Sequence, residues 1–401
     1  MPTRIEPMQV SENVRHIEPS GTLAIAALCR ELRAQGRDVL DLGIGEPDFR
    51  TPDFIARAGI ASIEQGMTQY PPVPGILPLR EAIARSIANR TGQTTDPAGV
   101  VVTSGAKQAL FHACFTLFGR GDEVIIPTPY WTSYPELVKL ARAEPRLVRT
   151  EAADGFKVTP AQLEAAWSPR VRGLILNSPS NPTGAVYTLD ELRALYDWAR
   201  QHEVWIISDE IYNRICFTQP RAAGLLDVTD DLSRLVIVDG ASKAFAMTGW
   251  RIGYSYTTPE LAEQFTTLQG QITSGAAMPS QYAAAAAYSD ETQADVGVGA
   301  MERIFRMRRD LVLAQVAEHA PILECFRPEG AFYVFIRTDR AYTAELPDSQ
   351  TFCRWLLGQT DVALVPGSVF GDDRYVRLSI AAPNATLSEA IRRIGAALSS
   401  A

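Results

Sequence analysis

The sequence predicts an α/β protein whose larger lobe holds a doubly wound, mostly parallel sheet. From Thr51 to about residue 295, segments with strand and helix patterns alternate, as in chains whose helices cover both faces of a parallel sheet. Residues 171–176 form a continuous apolar run, which is typical of a strand buried on both faces. After about residue 300, a long helical segment precedes further strand-like segments and a last helix, which predicts a smaller α+β lobe.

Each predicted element rests on the period of its apolar residues. Helices are predicted where apolar residues recur at helical spacing, namely 22–35 (ended by Gly36), 52–65, 77–90, 106–117, 131–141, 189–202, 283–287, 301–319 and from 386 onward. Strands are predicted at the short apolar runs 39–42, 100–103, 123–126, 171–176, 204–208, 235–238, 331–336, 362–365 and 375–379.

Composition excludes several classes of protein. The chain of 401 residues has a net charge of −8 and no basic run, so we expect no nucleic-acid partner. The four histidines lack ligand spacing, and we therefore expect no metal site. No apolar stretch is long enough to span a membrane, and no signal peptide is evident. Five dispersed cysteines without a CxxC pair predict reduced thiols and a cytoplasmic location.

Lysine is scarce in this chain. Of 38 basic residues only Lys107, Lys139, Lys157 and Lys243 are lysines, which codon bias explains best. The scarcity is nevertheless useful, because a reaction that needs an amine nucleophile has only these four candidates.

Two predicted strands end beside residues that suit catalysis. Lys243 and Arg251 follow the strand at 235–238, and Asp209 and Tyr212 follow the strand at 204–208. Ligands of open α/β sheets collect outside the carboxyl ends of strands. A lysine there can form a Schiff base, and an arginine can hold a phosphate as a fork. A carboxylate can keep a ring nitrogen protonated, and a tyrosine can donate to a ring oxygen.

Two turns add candidates. Gly105 and Ala106 open a helix directly after a strand, where free backbone N–H groups suit a phosphate. Asn181 lies in a rigid turn between two prolines. Each feature alone is more often structural: an N-cap, a helix start, a surface arginine or a plain turn. Their joint occurrence, each at the end of a strand of one lobe, points to a shared site.

Three motifs resemble those of a known family. They are Ser-Pro-Ser-Asn-Pro-Thr-Gly at 178–184, Ser-Asp-Glu-Ile-Tyr at 208–212, and Ser-Lys-Ala-Phe-Ala-Met-Thr-Gly-Trp-Arg-Ile-Gly-Tyr at 242–254. Together they resemble the fold-type I, pyridoxal-phosphate-dependent class I aminotransferases, and most of all the bacterial aspartate and aspartate/prephenate subgroup. The resemblance runs from about Ser20 to the C-terminus. It implies a seven-stranded sheet, an arm with part of the small domain at 1–50, a large cofactor-binding domain at 51–295 and a small domain at 296–401.

The resemblance implies roles around the cofactor ring. Lys243 matches the lysine that forms the internal aldimine and later moves the substrate proton. Asp209 matches the partner of the pyridinium nitrogen. Tyr212 and Asn181 match the donors to the ring oxygen. Asn181 also matches a residue that contacts the substrate carboxylate. Trp131 matches the aromatic side chain stacked on the ring.

It also implies a phosphate site. Arg251 and the backbone amides of Gly105, Ala106 and Lys107 match that site. Tyr70 matches a tyrosine that reaches the phosphate of the neighbouring subunit, and so implies a homodimer with shared active sites.

One position departs from the pattern. Many relatives have a phosphate-binding serine three residues before the lysine, where this chain has Gly240. Ser242, directly before Lys243, is the alternative phosphate contact.

The substrate contacts follow in the same way. Arg377 matches the arginine that binds the substrate α-carboxylate, and the backbone N–H of Gly45 matches a second contact to that carboxylate. The Lys107 side chain matches the cation that binds a distal carboxylate. As a cation at a helix start it lies unfavourably beside the helix dipole, which favours a functional reason. Ser20 and Thr22 are candidates for enclosing the substrate.

The expected reaction is a ping-pong transfer of an amino group from an L-amino acid to 2-oxoglutarate, with L-aspartate as the favoured donor. Aminotransferases for prephenate, aromatic or alanine-type substrates remain alternatives. A pyridoxal-phosphate-dependent carbon–sulfur β-lyase on the same scaffold is the alternative from another reaction class.

Overall fold

The computed structural model of the chain describes residues 11–18 and 21–400, apart from the side chains of residues 22 and 23. In these residues the strands are β1 (Leu40–Asp41), β2 (Val100–Ser104), β3 (Glu123–Thr128), β4 (Glu144–Arg149), β5 (Val171–Asn177), β6 (Trp205–Asp209), β7 (Leu235–Gly240), β8 (Ile252–Tyr256), β9 (Glu324–Phe326), β10 (Tyr333–Arg337), β11 (Val362–Ala363), β12 (Val365–Pro366) and β13 (Tyr375–Ser379). The α-helices are α1 (Glu12–Arg15), α2 (Gly21–Ala34), α3 (Asp53–Glu64), α4 (Leu77–Thr91), α5 (Ala106–Leu117), α6 (Tyr134–Leu140), α7 (Pro160–Ala166), α8 (Leu189–Gln201), α9 (Ala241–Ala244), α10 (Pro259–Ile272), α11 (Met278–Ser289), α12 (Glu291–His319), α13 (Ser349–Thr360) and α14 (Asn384–Ser400).

A seven-stranded sheet forms the larger lobe, in the order β2-β8-β7-β6-β5-β3-β4. Only β8 runs antiparallel to its neighbours, and the remaining pairs are parallel. Alternate strand residues enter two different cores: Leu174 and Ile206 pack in one, Ile175 and Ile207 in the other. Helices therefore cover both faces, and the predicted doubly wound α/β fold is confirmed.

The strand register sets the position of the candidate residues. Asn177 at the end of β5 pairs with Asp209 at the end of β6, and Asp209 pairs with Val238 of β7. Chain segments leaving these three strands therefore emerge side by side at one edge of the sheet. Lys243 follows in the short helix α9 directly after β7.

The smaller sheet is antiparallel, in the order β12-β13-β10-β9. Its core includes residues of α12, α13 and α14. β1 pairs in parallel with β11, so the segment before residue 50 joins strands from the C-terminal part of the chain. The predicted boundary at 295/296 falls inside the continuous helix α12, and the domain limits stay a prediction.

Several predicted elements differ from the observed ones. Helix α12 begins ten residues before the predicted start at 301, because Asp290 caps its N-terminus by accepting a hydrogen bond from the Gln293 N–H. The predicted strand at 362–365 divides into β11 and β12, which join different sheets. Strand β4 was not predicted, because it lies at the edge of the sheet, where its mostly polar, solvent-facing side chains form no apolar run.

No described helix is long and apolar enough to cross a membrane. All five cysteines are free thiols.

Candidate active site

A cavity of about 710 Å³ lies at the carboxyl ends of the central strands, and its lining includes residues of both sheets. Most predicted site residues line it: Gly45, Ala106, Lys107, Trp131, Asn181, Asp209, Tyr212, Ser242, Lys243, Arg251 and Arg377. Two do not: Gly105 is buried and is not among the lining residues, and Tyr70 is 89 % exposed.

Lys243 presents its amine to the cavity. Its Nζ donates a hydrogen bond of 2.6 Å to the backbone carbonyl of Gly45. The pKa of this amine is lowered from 10.5 to about 8, mainly by burial; the negative charge of Glu46 opposes the fall, and the positive charges of Arg251 and Arg377 contribute to it. A neutral amine, which a nucleophile requires, is thus accessible near neutral pH.

Asp209 is a buried carboxylate held by two donors. Its Oδ2 accepts a hydrogen bond of 2.6 Å from the hydroxyl of Tyr134, and its Oδ1 accepts one of 3.3 Å from the Ile211 N–H. Burial raises the pKa of the Asp209 carboxyl from 3.8 to about 6, and the Tyr134 hydrogen bond opposes that rise. A cationic N–H group in the cavity would stabilise the carboxylate form.

Tyr212 and Asn181 also line the cavity. The Tyr212 hydroxyl lies 2.9 Å from the hydroxyl of Tyr333, and burial raises the pKa of Tyr212 well above 10. The backbone N–H of Asn181 donates to the Asn177 side chain at 2.8 Å, which fixes the turn to the end of β5. The Asn181 side-chain oxygen accepts a hydrogen bond of 2.9 Å from Arg377.

Arg377 is buried, with only 2 % exposure. Its two terminal nitrogens donate to Asn181 and to the Gly43 carbonyl, the latter at 2.7 Å. Its Nε has no hydrogen-bond partner within the described chain, and no carboxylate pairs with the group there. Burying an unpaired guanidinium is costly, so this arginine is poised for an anionic ligand.

A cradle for an anion lies where β2 meets α5. Gly105 has a φ of +81°, and an added Cβ would collide with the Arg251 guanidinium. Ala106 and Lys107 are the first residues of α5, so their N–H groups have no acceptor inside the helix. Gly253 closes the cradle from behind, since a Cβ there would collide with the Ala106 nitrogen.

Lys107 and Trp131 form a pair at the mouth of the cavity. Lys107 is exposed overall, but its Nζ lies 4.9 Å above the indole ring. Because the ring excludes water from one side, burial of the amine lowers the pKa of Lys107, and the nearby Arg251 charge lowers it too. The Trp131 ring packs edge-on against Tyr134 at 5.4 Å, which fixes the plane of the indole.

The comparisons with known proteins agree with this geometry. Residues 37–394 match the family "Aminotransferase class I and II". The chain is 41 % identical over 389 residues to an aspartate aminotransferase of Geobacillus stearothermophilus, covering 96 % of this chain and 98 % of that protein. It is 42 % identical over 401 residues to an aspartate/prephenate aminotransferase of Cereibacter sphaeroides, with the same coverage.

The chain belongs to the class I and II aminotransferases. Among solved structures, the aspartate aminotransferase of Thermus thermophilus with maleate superposes with a TM-score of 0.92 at 36 % identity, covering 97 % of this chain and 100 % of that one. The protein is therefore a pyridoxal-phosphate-dependent aminotransferase that acts on amino and oxo acids, as the motifs predicted.

The residues present fit pyridoxal phosphate. At the start of α5, the N–H groups of Ala106 and Lys107 have no helical acceptor, and the Arg251 guanidinium lies against Gly105 beside them, which together suit an anion such as a phosphate. Trp131 offers an aromatic face, Asp209 a buried acceptor and Lys243 an amine of lowered pKa, all in one cavity. This donor set matches an anionic, aromatic aldehyde with a basic ring nitrogen.

The motifs missed several residues of this aminotransferase site. Tyr134, Tyr333 and Arg30 all line the cavity. Tyr134 is the first residue of α6, within the helix predicted at 131–141, but no motif selected it. Tyr333 and Arg30 come from β10 and α2, far from any motif, and only the fold brings them there. Ser20 lies outside the described residues, as does the Thr22 side chain.

Proposed function

We propose that this aminotransferase takes an acidic L-amino acid, preferably L-aspartate, as donor and 2-oxoglutarate as acceptor. The observation that carries the proposal is a pair of cations lining the same cavity: buried Arg377 for the α-carboxylate, and Lys107 for a distal carboxylate. The names of the relatives and the maleate in the Thermus thermophilus structure, a dicarboxylate, support it.

The substrate α-carboxylate is assigned to Arg377, which is held in place before binding. Asn181 and the Gly43 carbonyl fix two of its nitrogens, and the rings of Tyr333 and Phe370 lie 4.3 and 5.0 Å from its guanidinium carbon. Little side-chain entropy is then lost when the carboxylate binds. The backbone N–H of Gly45 is proposed as a second contact.

The cofactor is assigned to the residues that the motifs selected. The phosphate is held by Arg251, Ser242 and the first N–H groups of α5, the ring nitrogen by Asp209, the ring oxygen by Tyr212 and Asn181, and the ring face by Trp131. When bound, the cofactor supplies a carbon that captures amines and a ring that delocalises the electrons of a broken Cα–H bond.

Lys243 is assigned the proton transfer at the substrate α-carbon. With a pKa of about 8, roughly one amine in ten is neutral at pH 7, about 300 times more than for a lysine of pKa 10.5. Asp209 keeps the proton on the ring nitrogen, because a buried carboxylate favours a cationic neighbour. We expect Lys243→Ala to abolish turnover and the absorbance of the covalent link to the cofactor, and retention of both would contradict the assignment.

A panel of amino donors tests the substrate. Aspartate, glutamate, alanine, phenylalanine and tyrosine are compared by the spectral change of the first half-reaction in wild type and in Lys107→Ala. Loss of a charge-assisted hydrogen bond should lower kcat/KM for aspartate by about 10- to 100-fold and leave alanine nearly unchanged. Lys139→Ala is the matched control, since that lysine pairs with Glu136 on α6 and does not line the cavity.

The panel also separates the alternatives. If aspartate and glutamate react no faster than alanine or phenylalanine, the acidic-substrate proposal fails. Prephenate is tested as acceptor in place of 2-oxoglutarate. Release of pyruvate and ammonia without any oxo-acid acceptor would instead favour the carbon–sulfur β-lyase. Arg30→Ala belongs in the same panel, because Arg30 is a further cation lining the cavity.

We propose a homodimer with shared active sites. Tyr70 is 89 % exposed and does not line the cavity of its own chain. Ile60 and Ile63 on α3 and the nearby Met67 are exposed apolar side chains on the same stretch of chain, which suits a face that a second copy covers.

Subunit mixing tests this proposal. Lys243→Ala and Tyr70→Ala chains are each purified, mixed, unfolded and refolded together. Shared sites predict that heterodimers regain one intact site and therefore activity well above either parent. No recovery, or a monomer by sedimentation velocity, would overturn the proposal.

We also propose a cytoplasmic location, which the five free thiols support. Cell fractionation with detection of the chain tests it, and recovery in an oxidising compartment would contradict it.

A further inference from the structure

The hydroxyl of Tyr333 contacts a residue that the motifs placed on the cofactor. Tyr333 is 1 % exposed at the start of β10, and its hydroxyl lies 2.9 Å from that of Tyr212. Tyr212 follows β6 of the large sheet, so this hydrogen bond joins the two sheets at the cavity. No other hydrogen bond of the Tyr333 hydroxyl occurs within residues 11–18 and 21–400.

The ring of Tyr333 contacts the substrate side of the same cavity. The Arg377 guanidinium carbon lies 4.3 Å from the centre of that ring. The register explains the contact: Tyr333 pairs with Ser379 and Phe335 with Arg377, so Arg377 is a diagonal neighbour on the same face of the small sheet. One side chain therefore touches both Tyr212 and Arg377.

Proton counting decides the direction of the hydrogen bond between the two tyrosines. A tyrosine hydroxyl has one proton to donate. If Tyr212 gave its proton to Tyr333, none would be left for a ligand oxygen in the cavity. If Tyr333 is the donor, the Tyr212 proton is free to point into the cavity, and the Tyr333 hydroxyl needs no other partner.

We propose that Tyr333 is a positioning residue with two separable parts: its hydroxyl donates to Tyr212 and so directs the Tyr212 proton to the cofactor, while its ring holds the Arg377 guanidinium for the substrate carboxylate. This inference rests on the proposed contact of Tyr212 with the cofactor ring oxygen. The two parts belong to different atoms, and they can therefore be removed one at a time.

Tyr333→Phe removes only the hydroxyl. The readout is the pH midpoint of the absorbance change of the bound cofactor, measured without substrate. A hydrogen bond to the ring oxygen withdraws its negative charge and lowers that midpoint, so weakening the Tyr212 donor should raise the midpoint by about 0.5–1 pH unit. The charged groups that face the tyrosine pair, namely Arg377, Asp209 and Lys243, are unchanged in this variant.

Tyr333→Leu removes the ring as well. Its readout is the affinity for maleate, a dicarboxylate that undergoes no transamination, measured by calorimetry. We expect Tyr333→Phe to bind maleate within about twofold of wild type, and Tyr333→Leu to bind about tenfold more weakly, because a desolvated cation–π contact is lost. Thermal unfolding of each variant identifies any general loss of fold.

Tyr212→Phe is the reference that separates the possible failures. If Tyr212→Phe raises the midpoint but Tyr333→Phe leaves it as in wild type, the role of the Tyr333 hydroxyl is overturned. If Tyr212→Phe itself causes no change, the proposed contact of Tyr212 with the cofactor fails, and the inference fails with it. Equal maleate affinity in Tyr333→Leu and wild type would overturn the role of the ring.

Discussion

Acid should destabilise this protein through His112, in the middle of α5. The side chain is fully buried, and neither ring nitrogen has a hydrogen-bond partner within the described residues. Burial therefore lowers the pKa of His112 from 6.5 to about 4. Stability is fully present above the unfolded pKa of 6.5, and it is lost as pH falls toward the folded value, because the unfolded chain then binds a proton that the folded chain excludes.

The size of the stability loss in acid follows from the difference between the folded and unfolded pKa values of His112. A change from 6.5 to about 4 corresponds to about 3 kcal/mol of unfolding free energy. With an unfolding entropy of about 2.1 cal/mol/K per residue, a chain of this length loses about 4 °C in Tm for that amount. We therefore expect the Tm of wild type to fall about 4 °C more than that of His112→Leu between pH 7 and pH 4.

Thermal unfolding followed by circular dichroism across this pH range measures the difference. His319→Gln is the matched control, since His319 is exposed at the end of α12 and its replacement should leave the acid-induced fall in Tm as in wild type. The reasoning is wrong if His112→Leu loses stability with acid as steeply as wild type does.

Three further predictions concern the cavity. Tyr134→Phe removes a 2.6 Å hydrogen bond to Asp209, so the pKa of that carboxyl should rise by about 1–2 units above its value of about 6. Cofactor affinity, measured by equilibrium dialysis at a series of pH values, should therefore fall near neutral pH. Above pH 8 the cofactor affinity should stay as in wild type. Gly105→Ala should weaken the binding of inorganic phosphate to the apoprotein at least tenfold in calorimetry. The new methyl group would collide with Arg251, and alanine is strained at a φ of +81°. Unchanged phosphate affinity would contradict the assignment of the phosphate site to the start of α5. The rate at which the apoprotein captures pyridoxal phosphate should rise with pH with a midpoint of about 8, as Lys243 loses its proton, and a midpoint near 10 by stopped-flow absorbance would refute the lowered pKa.

The part of the site nearest the chain motifs was predictable. Asp209, Asn181 and Lys243 each follow a buried strand by a few residues, and the ends of neighbouring parallel strands meet at one edge of a sheet. Local spacing was therefore sufficient to place them together. The family, the fold class and the cofactor were all confirmed, while the individual roles of the residues stay predictions.

The rest of the site depends on contacts across hundreds of residues. Tyr333 meets Tyr212 only because β10 of the small sheet packs beside the end of β6, and no sequence period encodes that approach. Helix α2 likewise brings Arg30 to the cavity from the N-terminal segment. The edge strand β4 was missed for a related reason, since pairing on one side needs no apolar run.

By itself, the sequence determined which chemistry the protein carries. Lys243 is one of four lysines, and it lies where an arginine could not replace it, because a guanidinium does not form a Schiff base. The tertiary structure alone decided the electrostatics of that chemistry. Burial and neighbouring charges set the lowered pKa of Lys243 and the raised pKa of Asp209, and these depend on distances in space that the order of residues does not express.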